Sequence, residues 1–200
     1  NNVITLIADE FNNKRLNSPN DVCVHSNGTV FFTDPPFGII NPKRVEGFPG
    51  KMMYGGCYVF KYDLKKKLLE AIVTDMDRPN GIALSLDESH LYISNTGSTK
   101  YIRRYEINKN LEISKPVYFV KSDPDHVMDG FRFDSENNLW TSYGKGIACY
   151  SYSGEQIGYI KMPELVSNID FGGTEGNTLF ITASTSFYMI NLNIKGAKFK

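Results

Sequence analysis

The sequence predicts an all-β repeat fold of the propeller kind. Three observations carry this: a recurring two-strand pattern, turn residues at matching places within it, and no amphipathic helix of useful length. Four segments share the pattern: SPNDVCVHSNGTVFFTD from Ser18, RPNGIALSLDESHLYISN from Arg78, MDGFRFDSENNLWTSY from Met128 and VSNIDFGGTEGNTLFITA from Val166. Each leads with a polar residue, Asn20, Asn80, Asp129 or Asn168. An alternating apolar run, a turn and a second apolar run follow, ending at Asp34, Asn95, Tyr143 or Ala183, 14 or 15 residues on. The unit recurs every 39 to 60 residues, which is blade spacing.

Residues 3–8 read as an outer strand with no inner strands before it. The first hairpin alternates Val22, Val24 and then Val30, Phe32 around Ser26-Asn27-Gly28. Strand candidates at 58–62 and 68–73 complete a unit over about 18–73, with mild helical character only at 65–72. The second unit (78–120) pairs Ile82 and Leu84 across the Asp87-Glu88 turn and adds strands at 102–107 and 117–120. The third (128–160) sets Phe131 and Phe133 before Glu136-Asn137-Asn138, with further strands at 147–151 and 157–160. The fourth (166–192) turns at Glu175-Gly176-Asn177. A solenoid would have a shorter, more regular period, and a sandwich would not repeat one polar residue at each strand start. A propeller must close to remove its edges, and four blades close with difficulty. The expectation is therefore one partial propeller domain over residues 1–200 with further units before it.

Composition bounds the function. With 200 residues, 13% aromatics and a formal net charge of zero, the chain suits one globular domain with no general attraction to nucleic acid or anionic membrane. No apolar run reaches membrane-spanning length. Cys23, Cys57 and Cys149 are odd in number and widely spaced, so they read as small core residues rather than disulfides or zinc ligands. The chain starts Asn-Asn, and the compartment is left open, with the cytoplasm as default.

In a propeller the equivalent ends of the innermost strands converge on one axis, so Asn20, Asn80, Asp129 and Asn168 should face a common point. Amide oxygens beside one carboxylate suit a hard cation such as Ca²⁺, and the lack of clustered His or Cys speaks against zinc or copper. Any one of these residues alone reads as a turn cap, because Asn-Gly and Asp-Gly are common turn makers. Their shared register favours a site for Asn20, Asn80 and Asp129, with Asn168 left open. Asp21 reads equally as a structural ligand or a cap. Arg15, near the expected channel mouth, reads first as an exposed loop residue and otherwise as a substrate-binding one; His126, three residues before Asp129, reads first as a solvated loop residue and otherwise as a proton shuttle or substrate contact. His25 and His90 read as surface residues, Asp34 as a turn-fixer, the Lys65-Lys66-Lys67 run as an exposed loop and Trp140 as inter-blade packing. Gly55-Gly56 and Gly172-Gly173 lack the helix a phosphate loop needs.

The ordered motifs RLNSPNDVCVHSNGTVFFTDPPFGI (from Arg15), RPNGIALSLDESHLYISNT (from Arg78), MDGFRFDSENNLWTS (from Met128) and the terminal ITASTSFYMI resemble those of the gluconolactonase and senescence-marker-protein (regucalcin-like) β-propellers. The resemblance covers 4–190. It implies a six-bladed propeller of which about four blades are present, with two further units before Arg15, one of them bearing a Glu ligand. It also implies one divalent cation, Ca²⁺ first, with Mg²⁺, Mn²⁺ or Zn²⁺ as alternatives, held by Asn20, Asn80 and Asp129. Asp129 matches the acid or base of hydrolysis; Arg15, Asn20 and His126 are the candidate substrate contacts. The implied function is metal-dependent hydrolysis of a sugar lactone to the aldonic acid, with a small-molecule lactone as partner. A non-catalytic binding scaffold and an aryl-ester or organophosphate hydrolase are the alternatives.

Overall fold

The computed structural model describes residues 3–40 and 50–197. A small hairpin, β1 (Glu10–Phe11) and β2 (Lys14–Arg15), turns through Asn12 and Asn13, both left-handed at φ 52° and 59°. Four antiparallel sheets follow, each a simple meander. The first runs β3 (Val22–Val24), β4 (Val30–Asp34), β5 (Cys57–Asp63) and β6 (Leu68–Met76), with a one-turn helix, α1 (Phe37–Ile40), after β4. The second runs β7 (Pro79–Leu84), β8 (His90–Thr96), β9 (Lys100–Glu106) and β10 (Val117–Lys121). The third runs β11 (Phe131–Phe133), β12 (Leu139–Ser142), β13 (Gly146–Tyr150) and β14 (Gln156–Lys161). Among the described residues the fourth has three strands, β15 (Val166–Gly172), β16 (Thr178–Ala183) and β17 (Phe187–Asn191). The sheets are the blades of a β-propeller, with the first strand of each lying beside the first strand of the next.

Strand alternation sends successive side chains to opposite neighbours. Ile82 and Leu84 pack with Phe31 and Val59 of the first blade. Ala83 between them joins Phe131, Phe133 and Leu139 of the third blade. A third seam joins Ile147 and Met162 to Ile169, Leu179 and Ile181, with Trp140 against it. Trp140 meets Phe171 edge-on, with ring centroids 6.2 Å apart, and its Nε1 donates to Asp134 Oδ2 at 2.8 Å. The hairpin between the first two strands of each blade holds a left-handed residue, at Gly28, Glu88, Asn137 and Gly176, which sets the tight reversal. After β17 the chain returns to the third blade, where Gly196 bridges Asp134 and Ala197 N–H donates to Phe133 O at 2.9 Å.

Two expectations need correction. Residues 3–8 form no strand, and Ile4 is 98% exposed. Alternating apolar residues supply strand propensity, but a strand exists only where another edge accepts its backbone hydrogen bonds. Within 65–72 the chain is a turn followed by β6, with Lys67 left-handed at φ 53°. Pairing with β5 overrides the weak helical propensity.

Candidate functional site

One cavity of about 460 Å³ lies where the inner strands of the first three blades begin. Its lining is Asn20, Phe37, Ile40, Arg78, Asn80, Thr96, Val127 and Asp129. Asn20, Asn80 and Asp129, from three separate blades, are thus brought to one space. Arg15 is exposed on β2 and does not line it. Neither does His126, whose ring stacks on Tyr143 at 4.4 Å between centroids. Asn168 lines a different cleft beside Arg132, Asp170 and Phe187. Asp21 joins two blades, with Oδ1 accepting Val22 N–H at 2.8 Å and Oδ2 accepting Ile82 N–H at 3.1 Å.

The convergence has a steric basis. Gly81 lies inside β7, where a Cβ would fall 2.1 Å from the Asp129 carbonyl oxygen and 2.9 Å from the Phe131 ring. A Cβ on Gly130 would fall 2.0 Å from Asn168 Oδ1. Asn-Gly and Asp-Gly are therefore close-approach positions between neighbouring blades, not turns.

Buried hydroxyls then hold the backbones. Thr33, fully buried on β4, donates from Oγ1 to Asn80 O at 2.7 Å and accepts Asp21 N–H at 3.2 Å, while its carbonyl accepts Asn20 N–H at 2.9 Å. Ser94, equally buried on β8, donates to Asp129 O at 3.2 Å; Ser142 Oγ accepts Asp129 N–H at 2.8 Å. A hydroxyl on the second strand of one blade thus fixes the site residue of the next blade, twice in succession. In water-free surroundings such bonds are costly to break.

The α1 wall is set by Asp34. Its carboxylate is buried and accepts N–H bonds from Asn17 at 2.8 Å and Ser18 at 2.7 Å, together with the Tyr54 hydroxyl. Burial pushes its pKa up to about 6 despite those donors. Ser18 Oγ in turn donates to Pro35 O at 2.6 Å and accepts Gly38 N–H at 3.0 Å, which seats α1 with Phe37 and Ile40 at the cavity.

The chemistry of the lining fits a hard cation. Asn80 Nδ2 donates to Thr96 Oγ1 at 3.3 Å, and its Oδ1 is buried with no hydrogen-bond partner among the described residues. A buried amide oxygen left this way is stabilised by a cation. No group of three or more His, Cys, Asp or Glu among the described residues could hold a metal, so any cation here would rest on amide oxygens beside the Asp129 carboxylate. The cysteines offer no nucleophile: all three are unpaired, and burial pushes Cys57 up to about 11 and Cys149 up to about 12.

Sequence reasoning did not single out Arg78, Thr96, Phe37, Ile40 or Val127 as cavity residues. A signal existed for two of them: Arg78 and Val127 each stand two residues before the leading polar residue of a repeat, as do Ser18 and Val166.

The SMP-30/gluconolactonase/LRE-like family model matches residues 1–185. A gluconolactonase of Zymomonas mobilis is 36% identical over 190 residues, covering 90% of this chain and 52% of that protein. The solved structure of a gluconolactonase from Xanthomonas campestris superposes with a TM-score of 0.85 at 32% identity, covering 96% of this chain and 61% of that one. The calcium-binding protein regucalcin from Agrobacterium tumefaciens shares the fold, with a TM-score of 0.70 at 18% identity, over 90% of this chain and 62% of that one. The chain spans about half the length of the curated relatives it matches.

Proposed function

The chain belongs to the SMP-30/gluconolactonase/LRE-like family, and on that premise we propose that its cavity hydrolyses a sugar lactone to the open acid with the help of a divalent cation. The observation that carries the reading is the meeting of Asn20, Asn80 and Asp129 at one cavity, with the Asn80 amide oxygen buried and unpartnered among the described residues. The gluconolactonase and lactonase names of its relatives support the substrate class.

A cation held by Asn20, Asn80 and Asp129, with Ca²⁺ the best match to oxygen ligands, would polarise the lactone carbonyl and acidify a water. The chain's own residues do the rest. Phe37, Ile40 and Val127 supply apolar walls that restrict solvent around the ring, and Thr96 with the asparagine amides meets its hydroxyls. The Asp129 carboxylate takes a proton from the attacking water as the new acyl C–O bond forms. The ring C–O bond then breaks, and the ring oxygen leaves as a hydroxyl carrying that proton. Thr33 and Ser94 keep the backbone carbonyls of Asn80 and Asp129 in place.

The test is turnover of an aldonolactone by the full-length protein and its Asp129→Asn variant. The variant should lose about two or more orders of magnitude in kcat. Unchanged turnover would remove Asp129 from the mechanism.

A further inference from the structure

We infer that Arg78 selects the substrate: the lactone this cavity takes carries an anionic group, a carboxylate or a phosphate, at the end of the molecule away from the acyl carbon. This rests on the lactonase reading above and deepens it. Among the described residues that line the cavity, Arg78 is the cation and Asp129 the anion. The Arg78 guanidinium makes no salt bridge with any described residue. The carboxylates of Asp75, Asp77 and Asp34 have other partners: Asp75 pairs with Arg103 at 2.9 Å, Asp77 accepts Ser98 N–H at 2.7 Å, and Asp34 accepts from Asn17, Ser18 and Tyr54.

The root of the side chain is held on both sides. Arg78 N–H donates to Asn95 Oδ1 at 2.8 Å, and its carbonyl accepts Thr96 N–H at 3.0 Å. Asn95 is itself buried and donates from Nδ2 to Thr99 O at 2.6 Å. A guanidinium on a fixed root beside the apolar surface of Phe37, Ile40 and Val127 is a ready fork for a carboxylate or phosphate.

Arg78 lines the same cavity from the bend that leads into β7, two residues before Asn80 and on a different segment from Asp129. With the acyl carbon at Asn80 and Asp129, the guanidinium of Arg78 meets the far substituent of a six-carbon lactone rather than its carbonyl. In the repeat, the position two before the leading polar residue is Ser18, Arg78, Val127 and Val166, so the cation belongs to one blade and is not a demand of the fold.

The experiment compares three lactones with full-length protein: a neutral aldonolactone, its analogue ending in a carboxylate, and its analogue ending in a phosphate. Wild type should favour one or both anionic lactones by about ten- to hundredfold in kcat/KM, the worth of a charged hydrogen-bonded pair. Which analogue is favoured separates carboxylate from phosphate. Arg78→Met should collapse the anionic-over-neutral ratio through KM, and Arg78→Lys should restore part of it. A wild type that does not favour the anions, or a ratio unmoved in Arg78→Met, overturns the proposal. Lactams, which resist hydrolysis, separate this from the lactonase reading: calorimetry should show tighter binding of the anion-bearing lactam even if no lactone is opened. Equal binding of neutral and anionic lactams also overturns it.

Discussion

Gly81→Ala is the sharpest perturbation of the arrangement. The new Cβ would fall 2.1 Å from the Asp129 carbonyl oxygen and 2.9 Å from two Phe131 ring carbons. A carbon and an oxygen rest at a little over 3 Å, so β7 and the segment leading into β11 must part by about 1 Å. The atom in the way is backbone, and no rotamer change relieves it. Overpacking of this kind costs about 1–3 kcal/mol, and a backbone clash belongs at the upper end. The same displacement moves Asp129 away from Asn80, and misplacement by about 1 Å can cost on the order of a hundredfold in turnover. Urea unfolding measures the first effect and lactone hydrolysis the second, both in the full-length protein. Gly55→Ala is the control, because its Cβ meets nothing within 4 Å and its backbone is not left-handed. A Gly81→Ala protein with the wild-type urea midpoint and turnover would refute close inter-blade approach as the device that assembles the site.

Thr33→Val keeps the shape but leaves Asn80 O and Asp21 N–H without their buried partner; it should cost about 2–4 kcal/mol in urea unfolding, with Thr33→Ser retaining most of the stability. Asp34, raised from 3.8 to about 6 by burial, binds its proton more tightly folded than unfolded. Its contribution is therefore full below pH 4 and declines as pH rises to about 6, by about 2–3 kcal/mol, and Asp34→Asn should abolish that slope in unfolding measured against pH. Glu164 has the opposite sign. Its carboxylate accepts bonds from the Ser186 hydroxyl, Thr185 N–H and the Tyr188 hydroxyl, which hold it at about 2 instead of 4.5. That contribution is present above pH 4.5 and fades as pH falls toward 2, and Glu164→Gln should flatten this acid limb.

The blades were legible because their information is local. Val22, Val24, Ile82 and Leu84 alternate, and Gly28 and Gly176 stand where the chain must turn left-handed. Asn20, Asn80 and Asp129 were legible as a set because the repeat aligns them. What escaped depends on contacts distant in sequence. Gly81 and Gly130 look like turn glycines until the neighbouring blade is in place. The helix α1 is four residues long, too short to show a period. Residues 3–8 have a strand's pattern and no strand's partner. Arg78 has only its place in the repeat, two residues before Asn80, as a local signal; the cavity, formed by three blades, shows what lies beside it.

The most direct test is the rate of sugar-lactone opening by the full-length protein, followed through proton release, before and after divalent cations are stripped and then restored. Hydrolysis should vanish on stripping, return on addition of Ca²⁺ or another divalent ion, and fail to return in Asn80→Ala. A stripped protein that opens the lactone at its full rate would contradict the account.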